Sequence, residues 1–153
     1  MPNDHDIKIL NSLITTTIDS ALGFERSAED AQGGRFQQLF RDFAANRRQV
    51  VAMLQDKVRQ LGGTADDDGS LKADLHRRWV DLRAAFAGDD SDKAVIQEVE
   101  RGEDYIKSKY EAALADDELS APAKEAIRDA YQSVRAGHDT ASQLKHSMEA
   151  ASA

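Results

Sequence analysis

Four stretches of the chain place apolar residues at alternating steps of three and four, each over roughly 25 residues. An α-helix turns once in about 3.6 residues, so this spacing gathers the apolar groups into one stripe along a rod, whereas a strand needs every second position. From Asp6 to about Ala31 the stripe is Ile7, Leu10, Ile14, Thr17, Ala21, Phe24 and Ala28. From Arg35 it is Phe36, Leu39, Phe43, Asn46, Val50 and Met53, flanked by Phe40, Leu54, Val58 and Leu61. A third helix carries Ile96, Val99, Glu103, Ile106, Tyr110 and Ala113, and a fourth, with Pro122 in its first turn, carries Ile127, Tyr131, Val134, His138, Ala141 and Met148. Asn46, Glu103 and His138 each interrupt an otherwise apolar seam.

The breaks between the helices decide how the rods are joined. Gly33 and Gly34 leave a connection so short that the first two helices must turn back on each other. Gly62 and Gly63 end the second helix, and Thr64 to Gly69 reads as an Asp-rich solvated loop, without the oxygen spacing or closing Glu of a calcium loop. Ser70 caps a shorter helix with Leu71, Leu75, Trp79, Leu82 and Phe86 on one edge, ending near Gly88; Trp79 is expected to anchor it. A polar break at Asp89 to Asp92, with Ser91 or Asp92 as cap, precedes the third helix, a turn at Asp116 to Ser120 precedes the fourth, and Ala150 to Ala153 are expected to fray. Residues 62 to 91 are too many for a tight turn, and a helix of about 26 Å within them can travel back along a bundle of rods about 37 Å long. Helices two and three then run parallel. The expected fold is all-α: a single domain over residues 1–153, a four-helix bundle of two antiparallel hairpins with an extra short helix in the long crossover.

Composition narrows the function classes. With 41% hydrophobic and 31% charged residues the balance is that of a globular domain, and a net charge of -8 repels nucleic acid and anionic lipid surfaces. No cysteine is present, which removes disulfides, thiolate metal sites and cysteine nucleophiles. The opening Met1-Pro2-Asn3-Asp4-His5-Asp6 lacks the basic start and apolar run of a signal peptide, and no stretch reaches the roughly 20 apolar residues of a membrane span, so a cytoplasmic location is expected. A Gly-rich phosphate loop, a nucleophile elbow and a second histidine placed for a triad are all missing, which sets a hydrolase or transferase aside.

Counting residues to the helix ends puts Glu25 about eight before the first turn, Asn46 about eleven after it, and Glu100 and Glu103 about nine and twelve into the third helix. His138 falls level with Glu100. A polar layer inside the bundle is expected, with Glu25, Glu100, Glu103 and His138 as candidate metal ligands and Asn46 or Gln49 as a neutral oxygen donor. A metal-free layer uses the same residues differently: Glu100 and Glu103 pair with Arg135, Arg47 or Arg101, Asn46 fixes register, and His138 is a satisfied core histidine.

The ferritin-like di-metal proteins place one Glu on each of two helices and a Glu-x-x-His pair on each of the other two. This chain resembles that pattern in part. Glu25 looks like the lone carboxylate of the first helix, Glu100 or Glu103 like that of the third, and His138 like the final His, but Asn46-Arg47-Arg48-Gln49 and Arg135 stand where Glu-x-x-His needs acid and imidazole. Leu75-His76-Arg77-Arg78-Trp79 together with Glu100-Arg101-Gly102-Glu103-Asp104 resembles a bacterial family of ferritin-like four-helix-bundle proteins known as a domain of unknown function. The resemblance covers nearly the whole chain. It implies a loose association with stress or metal handling and a lost or altered metal site; the expected function is that of a structural, interaction or stress-associated protein with a degenerate di-metal site, no cofactor and no catalysis, and the alternative is a bundle that holds iron or zinc through its core carboxylates and one His. A homodimer or a protein partner is the expected association, with neither nucleic acid nor membrane.

Overall fold

The computed structural model describes residues 3–30, 36–67 and 91–151. Within them the chain forms four helices: α1 (Asp4–Asp30), α2 (Phe36–Gln60), α3 (Ser91–Leu114) and α4 (Ala121–Ala151). The expected glycine turn at 33–34, the crossover helix with Trp79, and Asp68 and Gly69 of the Asp-rich loop lie outside the described residues. None of the described helices is long and apolar enough to cross a membrane.

Local chemistry sets the helix ends. Gly62 takes a φ of 86°, and its N–H donates to the Arg59 carbonyl at 3.0 Å while the Gly63 N–H reaches the Val58 carbonyl at 3.0 Å. This pair of bonds closes α2 with a left-handed residue that glycine adopts without steric cost. Ser120 starts α4, its hydroxyl accepting the Ala123 N–H at 3.3 Å. At its far end α4 continues to Ala151, two residues into the stretch expected to fray.

Side-chain bonds between helices fix their directions. Arg48 on α2 meets Glu25 near the end of α1 at 2.9 Å, and Asn11 near the start of α1 donates to the Thr64 carbonyl beyond α2 at 3.0 Å, so these rods are antiparallel. Moving along α1 also retraces α3: His5 lies 2.8 Å from Asp116, past the end of α3, and Thr17 lies 2.6 Å from Tyr110. Both α2 and α3 therefore oppose α1 and run the same way.

Two apolar clusters fill the interior. One gathers Leu10, Ile14, Val50, Leu54, Ile106, Tyr110, Ile127 and Val134; the other gathers Phe24, Phe36, Phe40, Phe43, Ile96, Val99 and Ala141. In the second, the Phe24 ring lies 4.9 Å from that of Phe43 and 6.0 Å from that of Phe40. Each fully buried Leu, Ile or Phe contributes about 1.5–3 kcal/mol. Between the clusters, at one depth, sit Arg47 and Glu103.

The stripes of α1 and α3 are buried as their spacing predicts, apart from half-buried Ile7. On α2 the seam is rotated. Phe36, Phe40, Phe43, Arg47, Val50, Leu54 and Val58 are buried, whereas Met53 is 43% exposed and Asn46 half-buried. Two neighbouring columns of α2 share three-four spacing, and the column through Arg47 turns inward because Glu103 waits there to pair with it. On α4 the buried row passes through Gly137 and leaves His138 at the edge of the core.

Candidate functional site

The polar layer is built from residues that face one another across α1, α2, α3 and α4. Arg47 is 0% exposed and Glu103 1%. The Arg47 Nη2 donates to Glu103 Oε2, Nη1 donates to the Asn46 side-chain oxygen at 3.0 Å, and Nε donates to the Ser20 hydroxyl at 3.3 Å. A guanidinium carries five N–H donors, and burial is tolerable only when such donors find acceptors. Burial pushes the Glu103 carboxyl above the usual carboxylate range, and the Arg47 charge opposes that shift without cancelling it.

Gly137 makes room for the pair. A Cβ there would lie 3.0 Å from Arg47 Nη2 and 3.2 Å from Glu103 Oε2. About two helical turns along α3, buried Tyr110 shares a 2.6 Å hydrogen bond with the Thr17 hydroxyl, and burial pushes its phenol up to about 12. Thr17 in turn donates to the Leu13 carbonyl at 2.6 Å or engages Tyr110, so the hydroxyl has a partner on either side.

The residues expected to ligate a metal are placed as follows. Glu103 is in the layer, bound to Arg47. Glu25 is 42% exposed on its side chain and receives both Arg48 Nε at 2.9 Å and Arg48 Nη2 at 3.2 Å. Glu100 accepts from Lys145 at 3.0 Å. His138 pairs through Nε2 with Asp104 at 2.5 Å and lies 3.5 Å from Asp139 through Nδ1. Gln49 is exposed, and half-buried Asn46 supports Arg47 rather than replacing an acid. The layer thus joins Glu103 and Asn46, keeps His138 beside it, and leaves Glu25 and Glu100 to cations of their own. Among the described residues, one set of three metal-ligating side chains brings its donor atoms within 4.8 Å of one another: His5, Asp116 and Glu118, at the end of the molecule.

Sequence reasoning weighed Arg47 as one of three partners for the acids and did not place it in the seam. The signal was present: Arg47 is four residues after Phe43 and three before Val50, the positions of a buried side chain.

Comparison with known families adds one match. The pattern of DUF2383, a domain of unknown function, fits residues 5–116. The chain belongs to the DUF2383 family. Among curated proteins no relative matches it. The DUF2383 match takes in α1, α2 and α3, and with them both members of the buried ion pair. The helix beyond the match, α4, still belongs to the same fold: Ile127, Val134 and Ala141 are fully buried, and Gly137 closes over the pair. A DUF2383 assignment carries no activity with it, so chemistry has to be argued from the residues.

Proposed function

We propose that this chain is a ferritin-like four-helix bundle that has exchanged a di-metal centre for an internal Arg–Glu pair, and that it serves as a structural or interaction protein associated with stress, without catalysis of its own. The observation that carries the reading is Arg47, fully buried against Glu103 between the two apolar clusters. A divalent ion at that depth would have to share Glu103 with a guanidinium that cannot lose its proton, and the repulsion between two cations a few ångströms apart is large where water is excluded. The neutral acceptors that Arg47 finds beside Glu103, Asn46 and Ser20, suit a satisfied polar layer that fixes which helices face each other. Outer faces remain for a protein partner or a second copy, and Met53, at 43% exposure, is a large apolar side chain on one of them. The net charge of -8 turns such a surface away from nucleic acid and anionic membranes and suits a cytoplasmic setting.

The rival reading has Glu25, Glu100, Glu103 and His138 holding iron or zinc, with Asn46 or Gln49 as a neutral donor. Metal analysis of protein purified without chelator, on the wild type and on Glu103→Gln and His138→Gln, separates the two. Equal iron and zinc content in all three is expected. Loss of metal from both variants overturns the proposal in favour of the rival.

A further inference from the structure

His5, in the first turn of α1, and Asp116 and Glu118, in the connection between α3 and α4, meet where α1 begins and α3 ends. His5 Nε2 is 2.8 Å from Asp116 Oδ2 and 3.8 Å from Glu118 Oε2. Donors bound at about 2.0–2.1 Å around a tetrahedral ion stand roughly 3.3–3.4 Å apart. The two separations from His5 bracket that value, and all three donors lie within 4.8 Å of one another, so a swing of the Glu118 side chain brings the imidazole and both carboxylates to one ion. Asp116 is held for this: its Oδ1 accepts the Glu118 N–H at 2.9 Å, which leaves Oδ2 to face His5. The backbone around the group is tied as well, because buried Asp6, next to His5, accepts the Ser120 N–H at 2.9 Å. Glu118, with its side chain 80% exposed, has the freedom to swing in.

We propose that His5, Asp116 and Glu118 form a site for a divalent first-row transition metal, Zn²⁺ being the simplest probe, which clamps the start of α1 to the α3–α4 connection. One imidazole nitrogen and two carboxylate oxygens balance the ion's charge and leave a fourth position to water. The imidazole selects against Ca²⁺ and Mg²⁺, which take oxygen ligands. Binding replaces the hydrogen bond between His5 and Asp116. The ligands are 111 and 113 residues apart in sequence, so only the folded chain brings them together and binding stabilises the fold directly. This site shares no residue with the polar layer and stands or falls independently of it.

The test is calorimetric titration of chelator-treated, dialysed full-length protein with Zn²⁺ near neutral pH, paired with thermal melts. One equivalent bound is expected, with the melting temperature raised by about 5–10 °C at a hundredfold excess over the dissociation constant. Glu118→Gln, at an exposed position that leaves folding intact by circular dichroism, should weaken binding by about tenfold or more, since even outer-sphere partners are worth that much. His5→Gln should remove binding, and His146→Gln should leave it unchanged. No binding by the wild type, binding undiminished in both His5→Gln and Glu118→Gln, or a response to Mg²⁺ equal to that to Zn²⁺ would each overturn the proposal.

Discussion

Arg47 and Glu103 hold opposite charges out of water, and their cost and their value are set by each other. A charge buried alone is penalised by several kcal/mol, while a paired one recovers most of that through contact and hydrogen bonds. Arg47→Met or Glu103→Met alone should therefore lower stability by about 3–5 kcal/mol, whereas Arg47→Met/Glu103→Met together should come within about 1 kcal/mol of the wild type or exceed it. Urea unfolding of the four proteins measures this cycle, and additive losses would show that the two side chains do not depend on each other. Tyr110 gives a pH-dependent counterpart. Its ordinary value of 10.0 is raised in the fold to about 12, chiefly by burial. A group whose folded value is raised lends stability that is full below its unfolded value and lost as pH climbs through the folded one. Stability of the wild type should thus fall between about pH 10 and 12, by on the order of 2–3 kcal/mol, relative to Tyr110→Phe. Melting curves of both proteins across that range check the sign, and parallel curves would contradict it.

At the scale of the helix, small residues matter where rods approach closely. Gly137 lies within α4, where an alanine would gain about 1 kcal/mol from helix propensity alone. The Cβ it adds would press on Arg47 Nη2 at 3.0 Å and Glu103 Oε2 at 3.2 Å, and neither partner, both essentially unexposed, has space to retreat. Crowding of this kind costs about 1–3 kcal/mol, so Gly137→Ala should be destabilising by on the order of 1 kcal/mol net. A lower melting temperature by about 2–4 °C is the expected reading, and a rise would mean that the pair can slide. The same packing explains how α2 is oriented. Its two candidate columns differ by one residue in register, and hydropathy favours the one through Leu39, Asn46 and Met53 because burying an arginine looks costly. The fold buries the other column, since Glu103 on α3 supplies the opposite charge at that depth. On α4 the analogous choice sets Gly137 inward and His138 at the edge, where Asp104 reaches it at 2.5 Å.

At the scale of the molecule, the four helices of the described residues share an interior divided by a charged layer, and contacts between the start of α1 and the α3–α4 connection close one end. Helix positions were legible in the sequence because the period of apolar residues and helix-ending glycines such as Gly62 act over a few neighbouring positions. The length of the stretch from residue 62 to 91 likewise carried the shared direction of α2 and α3, since the reach of a chain follows from its residue count. Glu103 was legible as an inward acid for the same local reason. Its partner was narrowed to three arginines and no further, because the choice depends on which side chain of α2 arrives at the depth of Glu103, 56 residues away in sequence. The meeting of His5 with Asp116 and Glu118 left no trace in local pattern at all. Periodicity is a property of one helix and is written in the chain; the pairing of charges belongs to the space between helices, and only tertiary packing, which sets their rotation and depth against one another, decided it.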